Sequence, residues 1–384
     1  MSRLIRDRAG STDAMLAAFG DEALLRAALR FEAGLARAQA EAGLIAAEDA
    51  EAIAAACVDL PDIEDLADAA AHAGTLAIPL VTLLRERLAA NSPRAAALLH
   101  KGATSQDLAD TALMLQARTG AALIRAETER LVSALTALTR AHAATPMLGR
   151  TLLQGALPIT FGLKTAGWLQ GVAGALARFE AETVAIQLQL GGATGSLAGL
   201  DGKAIEVAER LAAILGLPAP VTPWHARREG LAGLASALAI LTGAVGKIAG
   251  DIALLAQNEV AEAFEPRVAG RGGSSAMAHK RNPTGCQTAL TAAIRAPHLA
   301  ATIVSALPQQ HERGLGGWQA EGAVLADLFQ LAHGALAAMA PVIEGLEVDT
   351  ARMAANLAAA GVGTDTGESQ TLVARALASL EKDR

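Results

Sequence analysis

Two hydroxyls, an imidazole, an ammonium and an amide fall within one short stretch, Arg271-Gly272-Gly273-Ser274-Ser275-Ala276-Met277-Ala278-His279-Lys280-Arg281-Asn282-Pro283. Gly270, Gly272 and Gly273 let backbone amides approach a ligand and let the segment close, while Lys280 and Arg281 supply positive charge. From Arg267 to Arg281 there are three arginines and one lysine without an acid, a positive island on a chain of net charge -7. An island of this kind focuses a small polyanion, and the overall charge argues against a nucleic-acid surface. These side chains suit chemistry beside a carboxylate.

A second cluster, His100-Lys101-Gly102-Ala103-Thr104-Ser105-Gln106-Asp107, stands immediately before a long helical pattern. Thr104 and Ser105 can cap that helix, and their hydroxyls with the free backbone amides make an anion site at its positive end. The eight histidines show no metal-ligand spacing, and Gly191-Gly192-Ala193-Thr194-Gly195 follows no strand. Neither a metal nor a dinucleotide is expected, and no other cofactor. Cys57 and Cys286 are the only cysteines and lie far apart, which suggests no disulfide framework and makes the cytosol the expected compartment.

The elements that must position these groups read as helices. Of 384 residues 52% are hydrophobic but only 2% aromatic, with no tyrosine. Alanine, leucine and glycine therefore do the packing, which predicts an all-α protein. Periodicity predicts long helices over about 106–143, 158–190, 225–263, 284–306 and 320–339, with shorter ones at 21–43, 46–59, 203–215, 349–359 and 368–382. Leu231, Leu234, Leu238, Leu241, Val245, Ile248, Ile252 and Leu255 form a heptad seam on a helix nearly ~60 Å long, which needs bundle and oligomer partners. The uncharged run from Gly230 to Gly246 is shorter than the ~20 residues a bilayer requires and reads as a buried helix, so no membrane is expected. The expected division is an N-terminal helical domain over 1–104, a central bundle over 105–341 carrying the loop at 264–283, and a shortened C-terminal helical segment over 342–384.

The glycine-serine stretch resembles the signature loop of the fumarase/aspartase superfamily, G-S-S-x-M-P-x-K-x-N, with Ala278 in the proline's place. The His100 cluster matches that superfamily's H-x-G-x-T-S-x-D. Within Gly149-Arg150-Thr151-Leu152-Leu153-Gln154-Gly155-Ala156-Leu157-Pro158, however, Leu152 and Gly155 stand where adenylosuccinate lyases have imidazoles, and Gln287 stands where a glutamate partner is expected. After His311-Glu312-Arg313, Gly316, Gly317 and Glu321-Gly322 replace the residues that hold a nucleotide phosphate. The pattern is similar instead to the bacterial 3-carboxy-cis,cis-muconate cycloisomerases as a group, which share G-R-T-x-x-Q-x-A-L-P. Further likenesses are Phe161-Gly162-Leu163-Lys164, Pro223-Trp224-His225 and the segment from His311 to Trp318.

The resemblance implies a fumarase/aspartase-like long-helix bundle that assembles as a homotetramer with shared active sites. It implies lactonisation of a small tricarboxylate in protocatechuate breakdown. Ser274 is then the expected proton carrier, with Ser275 as the alternative. Lys280, Asn282 and His100 complete the expected catalytic set, and Thr104, Ser105, Gln154 and Met277 the substrate contacts. Arg150, Arg313 and His311 are expected to neutralise substrate carboxylates or to form structural ion pairs. The alternatives are another lyase of the superfamily, adenylosuccinate lyase foremost, or a non-catalytic scaffold that retains the fold.

Overall fold

The computed structural model describes residues 4–273, 277 and 280–382. Helix α1 (Asp21–Glu41) is the longest in an N-terminal region of otherwise short helices, and the long helices α2 (Ser105–Ala141) and α3 (Phe161–Glu182) follow. After α4 (Ala204–Leu215) come α5 (Glu229–Leu255), α6 (Thr284–Ser305) and α7 (Gly317–Glu344), then α8 (Thr350–Ala360) and α9 (Ser369–Lys382). Helices α2, α3, α5, α6 and α7 pack on one another as the central bundle. Among the described residues the strands are confined to two small antiparallel ladders, β1 (Pro146–Thr151) with β2 (Gln154–Thr160) and β3 (Ala263–Phe264) with β4 (Glu347–Val348). The all-α class holds.

All eight residues of the α5 seam are buried. The helix is 27 residues long, ~40 Å, because the chain turns beyond Leu255 instead of continuing to residue 263. A side chain at Gly246 would meet the Ala293 methyl at 2.5 Å, so α5 and α6 touch almost backbone to backbone. Helices α5 and α7 are long and apolar enough to cross a membrane, yet most of each is buried inside the bundle. Helix α7 runs through Pro341 to Glu344, where the sequence suggested a stop.

The main departure from the sequence reading is the β1–β2 hairpin. Helix α3 begins only at Phe161, where the Thr160 hydroxyl accepts the Leu163 amide at 3.1 Å and fixes the start. One buried ion cluster ties α2, α5 and α7 together. Arg228 donates to both Asp110 oxygens at 2.8 and 2.9 Å and to Glu321, with its guanidinium 4.7 Å from the Trp224 ring centre. Burial alone would lower the Arg228 pKa, but the two carboxylates outweigh it and raise it.

Candidate active site

The first group of site residues gathers at the N-terminus of α2. Thr104 caps the helix, and the Asp107 carboxylate returns to the Thr104 amide at 2.9 Å, completing a capping box. Asp107 is fully buried and also accepts the amides of Gly191 and Gly192, each at 2.9 Å, so a glycine turn is pinned beside the helix end. Arg313 donates to the Thr104 hydroxyl at 2.6 Å. Ser105 is the first residue of α2 and is partly buried.

His100, with φ of 62°, lies 2.6 Å through Nδ1 from the buried Glu32 carboxylate. Burial pushes the imidazole pKa down, yet Glu32 and Asp107 together leave it raised. Glu32 is a site neighbour that sequence reading missed. Its signal was present, because an acid falls on the stripe of buried positions Leu25, Ala28, Leu29, Glu32 and Ala36. Asp107 and His225 were visible only as members of motifs, and their pairing was not.

The second group is the loop that enters α6. Asn282 donates its amide to the Gly272 carbonyl at 2.8 Å and closes the neck of the loop. Gly272 has φ of 71°, and a side chain there would meet the Asn282 carbonyl oxygen at 2.5 Å, so glycine is required on both counts. Glu265 accepts the Gly285 and Cys286 amides at 3.1 and 2.7 Å and thereby caps α6. Arg281 is held by Glu347 at 2.9 Å and by the Glu265 carbonyl. Lys280 and Asn282 line a cavity of about 190 Å³ with Phe264, Arg271 and Gly273. Met277 is 44% exposed. Ser274 and Ser275 lie outside the described residues.

The third group sits on the hairpin. Gln154 is exposed at the start of β2, just beyond Leu152 and Leu153, which adopt φ of 50° and 63°. Arg150 does not face open solution with a free charge. Its guanidinium meets the fully buried Glu262 carboxylate through two bonds of 2.8 Å, and Asn356 on α8 donates to the same carboxylate at 2.8 Å. The ion-pair reading of Arg150 therefore has the geometry. His311 is exposed, with φ of 49°.

The groups do not all meet within one chain. Helix α2 has 37 residues and spans ~55 Å between the His100–Thr104 group and the hairpin, whereas the chain from Ala141 to Gln154, even fully extended, reaches back only ~45 Å. Helix α5 begins beside Arg228, near Asp110, and leads to Glu262, which meets Arg150. The signature loop thus shares one end of the bundle with the hairpin. Arg313, carried back along α6, joins Thr104 at the other end.

Comparison with known proteins identifies the family. A family model described as "Lyase" matches residues 7–297. A 3-carboxy-cis,cis-muconate cycloisomerase of Bradyrhizobium diazoefficiens is 49% identical over 90% of this chain and 77% of its own length. A nitrosuccinate lyase of Streptomyces davaonensis is 43% identical over 89% of this chain and 74% of its own. The crystal structure of the 3-carboxy-cis,cis-muconate lactonizing enzyme from Pseudomonas putida superposes with a TM-score of 0.87 at 40% identity, covering 100% of this chain and 89% of that one. The chain belongs to the fumarase/aspartase superfamily of lyases, in the group that contains the bacterial 3-carboxy-cis,cis-muconate cycloisomerases.

Proposed function

We propose that this enzyme is a cycloisomerase that converts 3-carboxy-cis,cis-muconate to 4-carboxymuconolactone in protocatechuate breakdown. The observation that carries the reading is the combination of a lyase framework, Thr104 with Arg313 and Lys280 with Asn282, with an exposed hairpin that carries Leu152 and Gly155 at the imidazole positions and Gln154 beside them. One substrate carboxylate adds across a conjugated double bond, and the carbon beside another carboxylate gains a proton as the ester forms. Negative charge builds on that second carboxylate during C–O bond formation, so prearranged donors stabilise the transition state more than the ground state. Lys280, Asn282 and the helix end at Thr104 and Ser105 fill that role, with Gln154 as a further carboxylate contact. Ser274 moves the proton, with Ser275 as the alternative.

The separation of the groups along α2 supports a homotetramer in which one site draws on more than one chain. The division into 1–104, 105–341 and 342–384 and a cytoplasmic location belong to the same proposal. Mixing the purified protein with 3-carboxymuconate and following loss of diene absorbance tests it. Turnover is expected, and Ser274→Ala is expected to abolish it while the assembly stays intact. Absence of turnover together with nitrite release from nitrosuccinate, or fumarate release from adenylosuccinate, would overturn the cycloisomerase reading.

A further inference from the structure

The segment that joins α5 to the signature loop carries a buried acid whose partners lie on that loop and on the helix behind it. Glu265, directly after β3, has a side chain only 9% exposed. One carboxylate oxygen accepts the Gly285 amide at 3.1 Å and the other the Cys286 amide at 2.7 Å, so the group lies over the first turn of α6. Its carbonyl accepts the Arg281 guanidinium at 2.7 Å, and the Arg271 guanidinium stands 3.9 Å from its carboxylate. Arg271 also donates to the Thr284 hydroxyl at 3.2 Å, and a side chain on Gly285 would collide with that guanidinium. The cavity of about 190 Å³ that Lys280 and Asn282 line is bordered as well by Arg267, Arg271 and Arg281, and Glu265 is the acid among its described lining residues.

Helix amides and guanidinium groups gathered around one small space make a seat for an anion, and here the chain supplies that anion itself. Taking a carboxylate out of water is costly, so stability alone is a weak reason to keep one at this position. Its place relative to the loop is a stronger one. Gly285 follows Asn282 by three residues, Thr284 donates its amide to the Asn282 carbonyl at 2.9 Å, and Asn282 donates its own to the Gly272 carbonyl at 2.8 Å. A carboxylate fixed on the first turn of α6 therefore also fixes the neck that carries Asn282. We propose that Glu265 is a positioning residue for the signature loop: it fills the anion seat at the start of α6, holds Asn282 and Lys280 at the cavity, and leaves those two side chains free for a substrate carboxylate. The inference rests on the function proposed above and adds to it a residue that acts through Asn282 and Lys280 and not on the substrate.

The test uses the full-length assembled protein with Glu265→Ala and Glu265→Gln, and formate as a stand-in for the missing carboxylate. Turnover of 3-carboxymuconate is measured with and without formate, assembly by light scattering, and exchange of the Gly285 and Cys286 amides by hydrogen–deuterium mass spectrometry. Glu265→Ala should lower kcat about 100-fold with KM shifted less than about threefold, and saturating formate should recover about tenfold of that loss without raising the wild-type rate. Wild-type kcat in Glu265→Ala, or an assembled Glu265→Ala that formate does not rescue, overturns the proposal. If Glu265→Ala does not assemble, Glu265→Gln decides, since it keeps one acceptor for the amides and removes the charge: a fall in kcat of more than about threefold supports the proposal and a smaller one overturns it. Absence of wild-type turnover would sink the proposed reaction but not the seat, which then stands if the two amides exchange faster in Glu265→Ala and are slowed again by formate, and falls if they do not.

Discussion

His225 and Asp107 meet in the interior with Nε2 2.6 Å from Oδ1, and neither is more than 2% exposed. The same carboxylate holds the Thr104, Gly191 and Gly192 amides, so one side chain joins the start of α2, the glycine turn and the segment leading into α5. Replacing Asp107 by asparagine puts an amide donor among four donors. The expected result is a loss of about 1–3 kcal/mol of folding stability, measured by urea unfolding, because buried donors are left without their acceptor. A loss below about 1 kcal/mol would show that Asp107 does not organise this region.

The Arg228 cluster gives a second stability prediction. Arg228→Met leaves Asp110 and Glu321 buried side by side without their cation, and should cost about 3–5 kcal/mol. Adding Asp110→Leu and Glu321→Leu removes the stranded charges and should restore much of that loss in calorimetric melting. If the triple variant is no better than Arg228→Met, desolvated charge is not the cause.

His100 makes stability depend on pH in a defined direction. Its pKa is raised from the ordinary 6.5, chiefly by Glu32 acting against burial, so the folded chain holds the proton more tightly than the unfolded one. The contribution is complete below about pH 6.5 and is lost as pH rises through the higher folded value. Urea midpoints taken from pH 6 to 9 should fall for the wild type relative to His100→Asn. Parallel profiles would contradict the pairing with Glu32.

Gly272→Ala tests whether the neck of the signature loop matters for catalysis. The positive φ and the Asn282 carbonyl at 2.5 Å from a new methyl both force the neck open. Misplacement by about 1 Å is expected to lower kcat/KM by about 100-fold. Circular dichroism should show an unchanged helical bundle, since the loop lies outside it. Retention of most activity would mean that the site tolerates a shifted Asn282.

Much of this protein was legible in its sequence because helical periodicity is a local property. The α5 seam from Leu231 to Leu255 was readable residue by residue, and all of it is buried. Thr104 was readable as a cap for the same reason, since a capping box spans only a few residues. The hairpin was not readable, because Leu152 and Leu153 at its tip carry no Asn-Gly turn signal, and Gly149 and Gly155 weaken the alternation of its strands.

What the sequence determined by itself was the bundle class, the superfamily and the residue types brought to the site, since these depend on short-range patterns and on motifs in fixed order. Tertiary structure alone decided how charge is shared out. Arg150 and Glu262 are 112 positions apart, His100 and Glu32 are 68 apart, and Arg313 and Thr104 are 209 apart. No local rule selects such partners; packing of the long helices brings them within bonding distance and neutralises Arg150.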